Sequence, residues 1–548
     1  MKYLLPFFIL PLILSVSINF AINDDVTSLS SSEVESLLEV IYEEQSFLEQ
    51  FLTSSSSFLS ENSNHCANRE NFTGPDFFMF VPDFKGKVKR MNDSITFSNT
   101  CFKKNTLTFI SETDKEIILY LEASDSSSLT CFDTYVFQTS TILHISTVFF
   151  SGKNTIHIKK LDKDKLNNIH VGGLRVFSIC DSIANTAISA YRTIKFLLSD
   201  YPKDQNFISL VDTASNQFTK KTAEEQEKEH IEFLDKYAHI KIEQRTGYEK
   251  TVLDLEDKIE SGDFLGLSQV INGESCLIQY ITGGRISHSA MAIRVNGSLY
   301  VTEAEESGII LRPYKDFIEA QVNTYHSVAW FPLSKEARAK FDVDKAIDFI
   351  SKRVGLAYGM KNFVSAEFDT LNSSLPSYMS SEHLLLVITI IEKLKPELAM
   401  TFLGHSINMR LGTSNLTTSQ VVDELSRRNM TYEEALIIPE KDDWLYYDGE
   451  NWVCSSFIAG IYKASGLFGN LDIEAHEFVP KDIYQLKIYD NGENRPQECK
   501  EADPNINYCM ILGKFRIKAE GYNTIEVYEH MNEKCPSVPP FYVRTKGC

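Results

Sequence analysis

One stretch constrains the fold more than any other: "SHSAMAIRVNGSLYVTEAEE", residues 287–306. Asn296-Gly297 sits between two runs that alternate apolar and polar residues. That pattern predicts a β-hairpin closed by a type I′ turn, whose two central residues both need positive φ. A two-residue loop pairs Val295 with Ser298, so Ala290 faces Glu303 and His288 faces Glu305. Side chains alternate along a strand, which puts His288, Ala290, Glu303 and Glu305 on one face. A bulge or a wider turn would shift this register. A neutral imidazole needs an acceptor on one nitrogen to fix its tautomer, and either glutamate can supply it. The default reading is plainer: a strand histidine with an ordinary partner, beside a solvated acidic edge.

A second stretch, "NWVCSSFIAGIYKASGLFG" at 451–469, places Cys454 on the first turn of a predicted helix. Phe457, Ile458, Ile461 and Tyr462 form its apolar stripe and Gly466 its C-terminal stop. A thiol at a helix N-terminus feels the positive end of the dipole and free N–H groups. Its pKa falls there, and falls further beside an imidazolium. The same N–H groups can hold a developing oxyanion. Ser455 and Ser456 are small enough to leave the thiol accessible. Cys454 as nucleophile, His288 as base and a glutamate as orienter therefore make a coherent thiol-hydrolase set. The competing reading of a lone cysteine in a secreted chain is a disulfide half or a core filler.

Secretion is the expectation. Met1-Lys2 is followed by "YLLPFFILPLILSVSINFA", a signal-peptide pattern with cleavage near Ala21. No later run reaches the ~20 apolar residues of a membrane span. Asn71, Asn92, Asn296, Asn372, Asn415 and Asn429 begin Asn-x-Ser/Thr sequons. The net charge of −21 disfavours nucleic acid as a partner, since such binding rests on Lys and Arg neutralising phosphates. Of the ten cysteines, four precede residue 181, four follow residue 498, and Cys276 and Cys454 lie between. In an oxidising compartment the simplest scheme closes two bridges at each end and leaves the middle pair. No C-x-x-C and no zinc-like Cys/His spacing occurs, so neither metal nor cofactor is expected.

The chain divides by pattern into five parts. Residues 1–21 are the signal. Residues 22–180 hold an amphipathic helix near 30–52 and then short alternating runs, which predict a β-rich sandwich-like domain. Residues 181–260 read as a charged helical connector. Residues 261–490 combine strand-like runs ("GDFLGLSQV", "SHSAMAIRV", "SLYVTEA", "HSVAWFPL") with helical ones, among them "KEARAKFDVDKAIDFISKRVG", and carry a helical insertion at 365–445. Residues 491–548 form a cysteine-rich extension. The class is α+β, and no nucleotide-binding or GxSxG signature appears.

Taken in order, five pieces of the middle region resemble the permuted papain-fold amidases of the NlpC-type superfamily, close to the YiiX-like branch. "GDFLGLS" (262–268) resembles the opening Gly-Asp strand, and "SHSAMAI" (287–293) the strand with the catalytic His. "LYVTEAEESGIILRPYKDFI" (299–318) resembles the Glu-Ala strand and its sequel. "GLAYGMKNF" (355–363) resembles the Gly-x-x-Tyr-x-x-x-Phe segment, and "WVCSSFIAGIYKASGL" (452–467) the nucleophile helix. The resemblance implies a permuted papain-like domain with Cys454 as nucleophile, His288 as base and Glu303, rather than Glu305, as third residue. Tyr358 matches a tyrosine that lines the site. The insertion between Tyr358 and Trp452 is much longer than the compact pattern, and the flanking domains have no counterpart in it. Cys276 precedes His288 by twelve residues. That is too few to place a nucleophile helix and then a base strand.

The function expected on this basis is a secreted or lysosome-like cysteine amidase or peptidase acting on peptide, cell-wall or N-acyl amides. One alternative is lipid acyl hydrolysis or transfer on the same fold, with "HLLLVITIIEKL" (383–394) as a lid. An exposed apolar patch there would favour it. The other is an inactive binding glycoprotein whose Cys454 is tied up in a disulfide.

Overall fold

The computed structural model describes residues 81–127, 131–139, 143–159, 161–179, 223–248, 251–324, 326–359, 361, 381–394, 396–436, 438, 440–446 and 449–528. The expected signal peptide, the helix near 30–52, the sequons at Asn71 and Asn372, and Cys66, Cys180, Cys535 and Cys548 lie outside them. The fold is mixed α+β with antiparallel sheets, in two units formed by residues 2–194 and 195–548. Among the described residues no helix is long and apolar enough to cross a membrane.

In the first unit eight strands make two four-stranded sheets. They are β1 (Asp83–Val88), β2 (Ser94–Phe97), β3 (Phe102–Glu112), β4 (Glu116–Ser126), β5 (Asp133–Gln138), β6 (Leu143–Val148), β7 (Gly152–Lys159) and β8 (Leu174–Ile179). The orders are β1-β8-β5-β6 and β2-β3-β4-β7. On β4, Ile117, Leu119, Leu121 and Ala123 alternate inward and meet Phe109 of β3, Phe137 of β5 and Val176 of β8 in one core. Cys101 and Cys131 form a disulfide.

The second unit is built on a six-stranded antiparallel sheet. Its strands are β10 (Phe264–Ser268), β11 (His288–Val295), β12 (Ser298–Glu305), β13 (Gly308–Pro313), β14 (Ser327–Phe331) and β15 (Cys509–Leu512), in the order β13-β12-β11-β10-β14-β15. A two-stranded ribbon pairs β9 (Glu243–Gln244) with β16 (Phe515–Arg516). One face of the large sheet, with Phe264, Met291, Ile293 and Phe331, packs on Phe457, Ile458, Ile461 and Tyr462 of the helix Cys454–Ala464. The other, with Leu265, Ala290, Val301 and Trp330, packs on Tyr314 and Phe317 of the helix Tyr314–Asn323. Both faces are covered, so β10 and β14 are buried at every position rather than alternating.

Two residues at the mouth of β10 lock this arrangement. Gly262 has φ 88°, and a Cβ there would lie 2.8 Å from Leu333. Asp263, fully buried, accepts from Trp330 Nε1 (2.9 Å), from the Leu333 N–H (2.9 Å), from the Glu260 N–H (2.9 Å) and from Arg338.

The single helix expected from "KEARAKFDVDKAIDFISKRVG" is two, Lys335–Lys340 and Val343–Ser351. Phe341 ends the first, and Asp342 caps the second by accepting from the Lys345 N–H, a role that favours a break in front of it. The insertion is helical, from Ser381–Leu394 to Tyr432–Leu436. Leu385 and Ile388 of its apolar helix are buried, at 0% and 1% exposure, so the side chains named for a lipid-facing lid face inward. The cysteine-rich extension supplies β15 as the sheet's edge strand, stapled by Cys499–Cys509. Fully buried Arg245 joins it from the connector by donating to Asp503 and to the Gly513 carbonyl.

Candidate active site

The hairpin forms in the register that the sequence predicts. Val295 faces Ser298 and Ala290 faces Glu303, with Asn296 and Gly297 at φ 51° and 84°. The β11–β12 ladder stops at Ala290–Glu303, and Glu305 pairs with Gly308 on β13. His288 is therefore diagonal to Glu303, a separation that two long side chains can span. His288 Nε2–H donates to Glu303 Oε2 at 2.8 Å. Glu303 is the glutamate engaged; Glu305 Oε1 accepts from the Ser307 hydroxyl at 2.6 Å.

With Nε2 on Glu303, Nδ1 is the ring nitrogen left for the Cys454 thiol, which hydrogen-bonds His288. The helix start explains the thiol's setting. Its N-cap is Val453, which has no side-chain oxygen to occupy the first-turn N–H groups. Ser456 Oγ reaches back to accept from the Val453 N–H at 2.9 Å and leaves the thiol side clear. The N–H groups of Ser455 and Ser289 then both point at Cys454 Sγ. The Ser289 hydroxyl is fully buried, with no hydrogen-bond partner among the described residues.

These contacts set the charges. Burial pushes the Cys454 thiol up, but His288 and the two N–H groups outweigh it, and the pKa lies below that of an ordinary thiol. Burial disfavours the His288 imidazolium, yet hydrogen bonds and charge from Cys454 and Glu303 raise it to about 10. Burial likewise pushes Glu303 up, and His288 and Arg312 bring it below the usual carboxylate range. These directions favour a thiolate–imidazolium pair backed by a carboxylate over a neutral thiol and imidazole.

Tyr358 is half-buried against the same apolar core as the Cys454 helix. Its neighbour Gly359 donates its N–H to the Trp452 carbonyl at 2.8 Å. A Cβ on Gly359 would come within 2.7 Å of the Trp452 backbone, so only glycine lets this segment lie beside the extended residues that lead into Cys454. Cys454 is free of disulfides. Cys276, also in no disulfide, is buried in the helix Gly273–Thr282, its Sγ 3.7 Å from the Val270 carbonyl.

Three contributors escaped the sequence reading: Arg312, the Ser289 N–H and His326. Arg312 donates to Glu303 Oε1 from β13. Continuing the strand count through the Glu305–Gly308 turn would have found it. That count pairs Glu303 with Ile310 and puts Arg312 one diagonal away on the same face. The N–H of Ser289 carries no sequence signal. His326 is held low, at about 4, chiefly by burial and then by the His288 charge. No protein family, curated protein or solved structure matches this chain.

Proposed function

We propose that this protein is a cysteine hydrolase of the permuted papain type, NlpC-like and close to the YiiX-like branch, that cleaves amide bonds through an acyl-enzyme. The single observation that carries the reading is the continuous chain from Cys454 Sγ through His288 to Glu303, on a free thiol whose pKa is depressed. The Cys454 thiolate attacks the amide carbonyl carbon, and the electron pair of the C=O moves to oxygen. The N–H groups at the helix start are the candidate oxyanion donors. The intermediate collapses by breaking C–N, and His288 gives its Nδ1 proton to the departing amine. Water then attacks the thioester with His288 as base, releasing the acid and restoring the thiolate–imidazolium pair. Glu303 holds the ring and its charge throughout. Peptide, cell-wall or N-acyl amides in a secretory or lysosome-like compartment are the proposed substrates.

The test is alkylation of the native, non-reduced protein with a limiting thiol electrophile from about pH 4 to about pH 8, followed by peptide mapping. Cys454 is expected to label first and fast on the acid side, and His288→Ala to abolish that advantage. An inert or disulfide-bonded Cys454 refutes the proposal. Labelling that proceeds equally in His288→Ala does so too.

A further inference from the structure

Glu303 lies between two cations. Its Oε2 accepts from His288 Nε2, and its Oε1 accepts from Arg312 Nη2. The carboxylate is 1% exposed, and the two cations keep 23% each. A buried carboxylate with one partner is poorly held, because its remaining lone pairs must find donors and its charge must be balanced. Arg312 meets both needs. It projects from the strand neighbouring Glu303, and its guanidinium lies 5.3 Å from the Phe317 ring centroid, which restricts its swing. We propose that Arg312 is a positioning residue that keeps Glu303 ionised and aimed at His288, and so extends the working range of the Cys454–His288 pair into acid.

The inference rests on the catalytic reading above and adds a fourth member to it. Charges then alternate along the site: thiolate, imidazolium, carboxylate, guanidinium. Among the described residues, His326, ahead of β14, also acts on Glu303, His288 and Arg312, and Glu274, in the helix Gly273–Thr282, acts on His288. Glu306, in the β12–β13 turn, acts on Glu274. His326 titrates at about 4 and is neutral above that. Glu274 is raised to about 7, first by burial and then by Glu306, and it titrates on the neutral side of the profile. Neither stands in for Arg312, whose guanidinium donates directly to Glu303.

Removing a cation raises every pKa around it, so the acid limb of Cys454 reactivity should move up. The experiment is the pH–rate profile of Cys454 alkylation in the folded full chain. The variants are Arg312→Met, Arg312→Lys, Glu303→Gln and the double Glu303→Gln/Arg312→Met. Arg312→Met is expected to raise the acid limb by about one pH unit. That makes alkylation about tenfold slower at a fixed pH on that limb. Arg312→Lys should return most of the shift. In the Glu303→Gln background the same Arg312→Met replacement should move the limb far less.

An acid limb in Arg312→Met that coincides with the native one overturns the proposal while leaving the catalytic reading intact. A native-like profile in His288→Ala overturns both. If Arg312→Met alone fails to fold and the double variant folds, the pairing is supported. If both fail to fold, Arg312 serves something other than Glu303 and the proposal falls.

Discussion

Replacing Glu303 by Gln keeps the side-chain shape and deletes one buried charge. In the native protein the carboxylate receives both His288 and Arg312. The amide has one acceptor oxygen, so whichever donor it serves, its NH₂ turns toward the other. Removing one member of a buried ion pair costs ~3–5 kcal/mol. Water still reaches 23% of each cation, which puts the expected loss at the low end, about 3 kcal/mol. The pH dependence has a definite sign. Glu303 titrates below its ordinary value in the folded state, so its contribution is fully present above the unfolded carboxylate pKa. It is lost as pH falls through the folded value. The deficit of Glu303→Gln should therefore be largest around neutrality, shrink in strong acid, and shrink again in alkali as His288 loses its proton. The imidazolium loses an anion as well. His288, at about 10 in the native site, should fall by ~1–3 units, carrying down the alkaline limb of Cys454 alkylation. Urea titrations at several pH values measure the first effect and alkylation profiles the second. Equal urea midpoints at neutral pH, together with an unmoved alkaline limb, would refute the ion-pair account of Glu303.

Gly359→Ala should destabilise the fold by ~2 kcal/mol or more and slow Cys454 alkylation together, because the new Cβ meets the Trp452 and Asn451 backbone rather than a movable side chain. Thermal unfolding and alkylation of the same sample check the pairing of the two effects. Cys276→Ala should leave the alkylation profile of Cys454 unchanged and cost about 1 kcal/mol in a urea titration, since Cys276 is buried in the helix Gly273–Thr282 with its Sγ on the Val270 carbonyl. Replacing Cys499 and Cys509 together by Ala opens a loop closed across a separation of 10 residues and should cost about 2–3 kcal/mol, read as a lower urea midpoint.

How much of this was legible depends on how local the signal is. The β11–β12 hairpin was, because Asn296-Gly297 is a two-residue instruction and alternation carries its register outward to Glu303. The choice between Glu303 and Glu305 was not. Strand counting puts Glu305 opposite His288, whereas the ladder ends at Ala290–Glu303 and the diagonal carboxylate is the one engaged. The resemblance to the permuted papain type pointed to Glu303 where the count could not. β1 was invisible because "DFKGKV" has few apolar residues and is held by pairing with β8 across a long stretch of chain. β15 raised a similar difficulty: "MILGKFRIKA" reads as a strand, but nothing local says that it joins β14. Asp263 was read as part of an opening strand motif. Its four donors, from Glu260 to Arg338, are a property of the fold alone.

The long insertion bears most directly on whether the site is intact, because it separates Tyr358 from Cys454 in the chain. The geometry at its ends resolves the difficulty. Gly359 donates to the Trp452 carbonyl at 2.8 Å, so the chain leaves and re-enters the core at adjacent points. Loop-closure entropy grows only with the logarithm of loop length, so extra residues between two points already in contact cost little. The return segment is anchored mainly by residues after the insertion's helices. Trp452 stacks on His476 at 4.0 Å, and its indole N–H donates to Glu450 at 2.6 Å. Further along, Lys463 of the Cys454 helix donates to Asp442 at 2.6 Å, and Asp442 in turn accepts from the His476 N–H at 3.1 Å. These contacts fix the position and pitch of the helix start from both sides. Cys454 is thus held against β11 by Trp452 and His476, which flank the insertion, and by Asp442 near its end, so the part of the insertion before Asp442 can vary in length and content without moving the thiol from His288.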